Sequence, residues 1–132
     1  MDDFIRKVIE GNGILPSEVC LQSFNLNFEN AVNVEWFHWE SHYEAIFYIN
    51  NQEHIAIFSL TGELKEYSKN LSSDYIPEPI KIKALLKGEI MNSVMKNKGN
   101  SLEYEMIIRD KQLKRYIQIY SDTGNLMEEK ML

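Results

Sequence analysis

The chain has 132 residues, of which 44% are hydrophobic and 26% are charged, and this composition is typical of one globular domain or two small units that share a core. Its net charge of -6 argues against a nucleic-acid partner, because binding to phosphates needs clustered Lys and Arg side chains. The single cysteine, Cys20, excludes an intrachain disulfide.

The amino-terminal residues read MDDFIRKVIEGNG, with two acids at the start and no long apolar run. They predict neither a signal peptide nor a membrane anchor, so we expect a cytoplasmic protein, or a periplasmic or secreted one if a signal has been removed. Phe4, Ile5, Val8 and Ile9 are spaced as on one face of a short helix. This spacing predicts an amino-terminal helical extension over residues 1–13.

The next segment predicts a helix followed by four antiparallel strands. Pro16 lies where a first helical turn tolerates proline, and an apolar stripe includes Cys20 and Phe24, so we expect a helix over residues 15–29. Asn50-Asn51 marks a turn between two of the strands. Stretches rich in β-forming residues predict strands at residues 32–40, 43–50, 53–60 and 63–69.

The second half of the chain repeats this pattern. Residues 104–131, YEMIIRDKQLKRYIQIYSDTGNLMEEKM, match residues 43–69, YEAIFYINNQEHIAIFSLTGELKEYSK, and Pro77 lies 61 positions after Pro16. The segment PEPIKIKALLKG predicts a short helix that ends at Gly88. Further strands are expected at about 89–98, 101–110, 112–121 and 125–131.

The duplication predicts an α+β fold. We expect two tandem units, each a helix plus a four-stranded antiparallel sheet, at residues 14–70 and 71–132. The two units are expected to form one continuous sheet within one compact domain, with the helices on one face.

Side chains alternate along a strand, so polar residues in either copy predict which face is buried. Glu35, Arg109 and Gln118 are taken to mark the outer face. The residues expected to face inward are Val34, Trp36, Tyr43, Ala45, Phe47, Ile55, Ile57, Tyr104, Met106, Ile108, Ile117 and Ile119. The outer face is then expected to carry His54, Ala56, Phe37, Trp39, Tyr48, Phe58, Tyr116, Gln118 and Tyr120.

A series of short motifs carries a family resemblance. The motifs are ILP at 14–16, NAVNVEW at 30–36, YEAIFY at 43–48, A-x-F-x-x-x-G at Ala56, Phe58 and Gly62, Ile76-Pro77, and Tyr104-Glu105. In this order and spacing they resemble the PepSY-like family, whose fold resembles the beta-lactamase inhibitory protein. The resemblance implies tandem helix-plus-sheet units without known catalytic residues, and a binding or inhibitory module whose partner it does not name. Many members are secreted or periplasmic.

We expect no catalytic, cofactor-binding or metal-binding residues. His38, Glu40 and His42 alternate and could supply zinc ligands, but the chain reverses direction there, which favours polar turn residues. Glu44 and Glu105 occupy matching positions, yet acid–base catalysis needs a pocket that shifts carboxyl pKa values, and none is evident in the sequence. Single glycines form no phosphate-binding loop, so no cofactor is expected.

An uncovered sheet face rich in Tyr, Trp and Phe exceeds what a monomer normally exposes, and such residues dominate the energetics of interfaces. We therefore predict a non-catalytic protein-binding or inhibitor-like module, with no nucleic-acid or membrane partner. The predicted binding residues are Phe37, Trp39, Tyr48, Phe58, Tyr116, Gln118 and Tyr120. The partner is either an unknown protein or a second copy of the chain.

The alternative is a small-ligand-binding protein or an enzyme with a pocket in a curved, cystatin-like sheet. A deep pocket that holds Glu44, Glu105 or a histidine would favour this alternative.

Overall fold

The computed structural model of the chain describes residues 15–132, and the helical extension predicted for residues 1–13 lies outside them. The described part contains two α-helices and eight strands that follow one another in the sheet in chain order, so the expected α+β fold with antiparallel strands is confirmed. The helices are α1 (Glu18–Asn27) and α2 (Glu78–Lys87), and the strands are β1 (Val32–His38), β2 (His42–Ile49), β3 (Gln52–Ser59), β4 (Leu64–Asn70), β5 (Glu89–Asn97), β6 (Leu102–Arg109), β7 (Arg115–Ser121) and β8 (Leu126–Met131).

The chain divides into two compact units, the first ending at Tyr67 and the second spanning Ser68–Leu132. Each unit contains one of the two helices and has its own cluster of buried apolar side chains.

In the first unit, α1 begins where a side chain can satisfy its free N–H groups. The Ser17 hydroxyl accepts a hydrogen bond from the Cys20 backbone N–H at 3.4 Å, and Glu18 places a negative charge in the first turn, where the helix dipole favours it. The helix ends at Phe28, whose N–H donates to the Phe24 carbonyl.

The core of the first unit is built around the Phe24 ring. Phe24 packs edge-on against Trp36 and Phe47, with ring centroids 5.2 and 5.0 Å apart, and it contacts Phe58 at 6.3 Å. All four side chains are buried. The prediction that Trp36 and Phe47 face inward is therefore confirmed, and α1 lies on the same side of the strands as these rings.

The predicted faces of β3 and β7 are wrong. Ala56 stands opposite Ala45, and Gln118 stands opposite Met106, so each shares the buried side of its partner. His54, Ala56, Phe58, Gln118 and Tyr120 are buried, whereas Ile55, Ile57, Ile117 and Ile119 lie on the opposite side and are partly exposed.

In the first unit, the turn between β2 and β3 explains why alternate residues of β3, beginning with His54, face the core. Asn50 and Asn51 both have positive φ, at 51° and 66°, which is the geometry of a two-residue hairpin turn. The turn sets Ile49 opposite Gln52 and Phe47 opposite His54, so an inward Phe47 requires an inward His54.

The second unit has a smaller core under α2. Ile80 and Ala84 of the helix are buried together with Met106, Ile108 and Tyr120. The predicted end of the helix at Gly88 is confirmed.

A close backbone approach explains the glycine at the end of α2. A Cβ atom at Gly88 would lie 2.3 Å from the Arg109 carbonyl oxygen, so no other residue fits there without a shift of the chain.

We expect Phe47→Ala to lower the free energy of unfolding by about 3–5 kcal/mol, the usual loss for a buried phenylalanine. The neighbouring substitution Tyr48→Ala removes a side chain on the opposite face and should cost much less. Urea unfolding followed by circular dichroism measures both values. A loss below about 1 kcal/mol for Phe47→Ala would contradict the observed face assignment of β2.

Two turn glycines form a matched pair for a second test. Gly62 and Gly124 have φ of +93° and +95°, a region that disfavours a side chain. A Cβ at Gly62 would also lie 2.9 Å from Val19 Cγ1 and 3.0 Å from the Val19 carbonyl oxygen, whereas at Gly124 its nearest neighbour is Pro79 Cβ at 3.5 Å.

Each Gly→Ala substitution should therefore destabilise the protein by about 1 kcal/mol through φ alone. The loss should be larger for Gly62→Ala, because Val19 must also move. Thermal unfolding of the two variants compares them directly, and equal losses would show that the contact with Val19 carries no cost.

Candidate functional site

The first unit has a sheet face that α1 does not cover. Residues directly opposite each other in antiparallel strands point to the same side, so the register of β1, β2 and β3 defines this face as a set of rows. The rows are Glu35–Ile46–Ile55, Phe37–Glu44–Ile57 and Tyr48–Glu53. We call these eight residues, together with Trp39 at the end of β1, the open face. Among the described residues of this unit, α1 is the only α-helix, and it packs on the other side.

The open face combines aromatic, aliphatic and acidic side chains. Trp39 is 51% exposed and Tyr48 is 36% exposed, while Phe37 and the three isoleucines of the face are partly exposed. Exposed aromatic rings beside aliphatic side chains are the composition that protein interfaces favour at their centres.

Trp39 is held in place by the hairpin that joins β1 to β2. Its backbone N–H donates to the His42 carbonyl at 2.9 Å, and its indole Nε1–H donates to Glu44 Oε1 at 3.0 Å. The hydrogen bond fixes the indole beside the Glu44 carboxylate, so an aromatic surface and a negative charge are presented together.

Of the seven predicted binding residues, the structure places three on the open face: Phe37, Trp39 and Tyr48. The other four lie on the helix side of their strands, so their predicted position is wrong: Phe58, Tyr116, Gln118 and Tyr120. Tyr116 stands opposite the buried Ile108, and the Lys87 ammonium of α2 lies 3.9 Å from the centre of the Tyr116 ring.

Gln118 is buried because neighbouring side chains satisfy its amide. Tyr120 donates its hydroxyl proton to Gln118 Oε1 at 2.6 Å, and Gln118 Nε2 donates to Glu129 Oε1 at 2.7 Å. Burial, and then the Glu129 carboxylate, raise the pKa of the Tyr120 phenol. A polar residue whose amide oxygen and nitrogen are both hydrogen-bonded in this way does not mark an outward face.

The residues that the sequence reasoning missed are the aliphatic and acidic members of the open face. Alternation along the strands predicts Ile55 and Ile57 inside, and it assigns Glu44 and Glu53 no role in protein binding. The two-residue Asn50-Asn51 turn was the available signal, because it fixes the register from which this face follows.

Charge is distributed unevenly along the chain. Residues 15–64 contain seven glutamates and no Lys or Arg, so the open face belongs to an acidic unit. In the second unit, three carboxylates on the corresponding side of the strands are paired with basic side chains. The pairs are Lys96–Glu105 at 2.6 Å, Lys98–Glu103 at 3.2 Å and Arg109–Glu89 at 2.9 Å.

The chemical candidates do not assemble into a reactive site. His38 stacks on Tyr43 with ring centroids 4.6 Å apart, and His42 lies beside Trp39. Within residues 15–132, no three His, Cys, Asp or Glu side chains are grouped to hold a metal ion. Cys20 is buried, and burial raises the pKa of its thiol to about 11, so it is not a reactive thiolate near neutral pH.

No family model and no curated protein matches this chain. Solved structures do match. A BLIP-like protein from Bacteroides fragilis is 18% identical, with a TM-score of 0.77 over 90% of this chain and 88% of that one. A DUF2874 family protein from Bacteroides ovatus is 17% identical, with a TM-score of 0.78 over 89% of each chain. A candidate periplasmic protein from Bacteroides eggerthii is 12% identical, with a TM-score of 0.78 over 89% of this chain and 90% of that one.

These likenesses show the fold. The expected resemblance to a BLIP-like fold is confirmed, whereas membership of the PepSY-like family stays a prediction. Neither helix of the described part is long and apolar enough to cross a membrane.

The buried pair of Gln118 and Tyr120 gives a stability test. Gln118→Ala leaves the buried Tyr120 hydroxyl without its acceptor, so we expect a loss of about 1–3 kcal/mol in the free energy of unfolding. Adding Tyr120→Phe removes the stranded hydroxyl, so the double variant should lose less than the sum of the two single losses. Gln112→Ala, at an exposed turn, is the control, and an equal loss for Gln112→Ala and Gln118→Ala would contradict the role of the buried hydrogen bond.

Proposed function

We propose that this protein is a non-catalytic, inhibitor-like binding module that docks a protein partner on the open face of the first unit. The observation that carries the proposal is the exposure of Trp39 and Tyr48 beside the apolar row Ile46–Ile55 and the Phe37 ring, on a sheet face that α1 leaves uncovered. Large aromatic side chains with a rigid position are the usual anchors of protein interfaces.

The hydrogen bond from Trp39 to Glu44 adds to this support. A side chain that is already fixed before binding loses less conformational entropy when a partner covers it. The fold likeness to a BLIP-like protein agrees with a binding role.

The alternative of an enzyme or small-ligand carrier has less support. An open cavity of about 340 Å³ in the second unit is lined by Leu85, Leu86, Lys87, Gly88, Asp110, Lys111 and Gln112. It contains neither glutamate nor histidine, so this cavity offers no carboxyl pair for acid–base chemistry.

Three finer predictions accompany this function. The chain is a PepSY-like protein, and its repeats run over residues 14–70 and 71–132 as parts of one domain. It acts in the cytoplasm or, if exported, in the periplasm or outside the cell. The candidate periplasmic protein of similar fold supports the exported location. Superposition of residues 43–69 on residues 104–131 tests the duplication, and cell fractionation tests the location.

We expect the double substitution Trp39→Ser with Tyr48→Ser to weaken association with a protein partner by at least about tenfold, which corresponds to 1.4 kcal/mol. Both side chains are exposed, so circular dichroism should show an intact fold. The partner is first captured from the source organism and identified by mass spectrometry, and its affinity is then measured by calorimetry. Self-association is measured by analytical ultracentrifugation.

Ile82→Ser provides the matched control, because Ile82 is an apolar residue 54% exposed on α2 in the second unit. It should leave affinity unchanged. If the double variant folds and binds as tightly as the native protein, the open face is not the binding site.

A further inference from the structure

The two units present a glutamate in the same geometric setting with different neighbours. Glu44 of β2 stands opposite Phe37 of β1, and Glu105 of β6 stands opposite Val94 of β5. On the neighbouring strand, the residue opposite each glutamate is followed two positions later by the residue whose side chain the glutamate contacts.

In the second unit that residue is Lys96, whose ammonium lies 2.6 Å from Glu105 Oε2. In the first unit it is Trp39, whose indole Nε1 lies 3.0 Å from Glu44 Oε1.

The two neighbours have different electrostatic effects. The Lys96 ammonium neutralises the charge of Glu105, because the two ions are in contact. The Trp39 indole donates a hydrogen bond but carries no charge, so the negative charge of Glu44 is left uncompensated by this contact. Residues 15–64 contain no Lys or Arg that could take the place of Lys96.

The Trp39–Glu44 pair therefore offers the two features that attract a cation. The face of a tryptophan ring is the strongest aromatic partner for a Lys or Arg side chain. A carboxylate beside the ring adds a charge-assisted hydrogen bond. Trp39 is 51% exposed, so its ring is accessible.

We propose that the open face recognises a basic protein segment, and that a Lys or Arg side chain of the partner sits on the Trp39 ring and pairs with Glu44. The partner then supplies the cation that Lys96 supplies within the second unit. The inference rests on the proposed function and specifies the chemistry of the partner.

Glu53 extends the same complementarity. It lies two rows beyond Glu44 along β2 and β3, and the row between them contributes Ile46 and Ile55. An extended segment with a basic, an apolar and a basic side chain at every second position matches this arrangement of carboxylates and isoleucines, because side chains two positions apart point to the same side.

Two short capped peptides test the proposal. One carries Lys and Leu in turn at every second position, with Ser between them, and the other carries acetyl-lysine at each Lys position, which keeps the length and removes the charge. Binding to the intact protein is followed at low ionic strength by the indole N–H signal of Trp39 in nuclear magnetic resonance spectra. We expect the lysine peptide to shift this signal and to bind at least about tenfold more tightly than the acetylated peptide.

Matched variants locate the interaction. Glu44→Gln keeps the shape of the side chain and its hydrogen bond with Trp39, and should weaken binding of the lysine peptide by about fivefold or more. Glu105→Gln removes a charge from the second unit and should leave binding unchanged. Added salt should weaken binding to the native protein more than binding to the Glu44→Gln variant.

Four outcomes would overturn the inference: equal binding of the two peptides, an unchanged affinity in Glu44→Gln, an equal loss in Glu105→Gln, or no binding of either peptide at millimolar concentration. Each of them leaves the proposed function standing, because that function is tested separately by the Trp39→Ser and Tyr48→Ser variant with a protein partner. Failure of that separate test overturns both.

Discussion

The register of the β2–β3 hairpin is the constraint on which the first unit depends. Asn50 and Asn51 adopt positive φ, and this tight turn sets Phe47 opposite His54. Because side chains alternate with a period of two, a shift by one residue would exchange the two faces of β3. The same register therefore buries Phe58 against Phe24 and leaves Ile55 and Ile57 on the open face.

Much of the fold could be predicted from the sequence because local signals agree with one another. Short-range patterns predict the end of α2 at Gly88, the strands, and the inward positions of Trp36, Phe47 and Met106. The structure confirms each of these predictions. The faces of β3 and β7 could not be predicted from composition, because Gln118 lies in the core. Its burial depends on Tyr120 and Glu129, and no sequence pattern shows that these side chains meet.

The candidate site, like the fold, could be predicted only in part from the sequence. Trp39, Phe37 and Tyr48 were predicted from aromatic content and alternation alone. The pairing of Trp39 with Glu44 depends on the geometry of the β1–β2 hairpin, which a linear reading does not supply. The difference between the Trp39–Glu44 pair and the Lys96–Glu105 pair could be found only from the strand register of both units. The register identifies the residue opposite each glutamate and so shows that the two glutamates occupy matching positions.

The absence of Lys and Arg from residues 15–64 also determines how the protein responds to chemical probes. Trypsin cleaves only after these residues, so it finds no site between Lys7 and Lys65, and complete digestion releases residues 8–65 as one fragment. Within the described residues, reagents directed at lysine amines attach only from Lys65 onward, and they leave the open face unmodified. Crosslinkers that join two lysines would not attach a partner at Trp39, because the open face has no lysine. Carbodiimide coupling through Glu44 or Glu53 would instead capture a lysine on that partner.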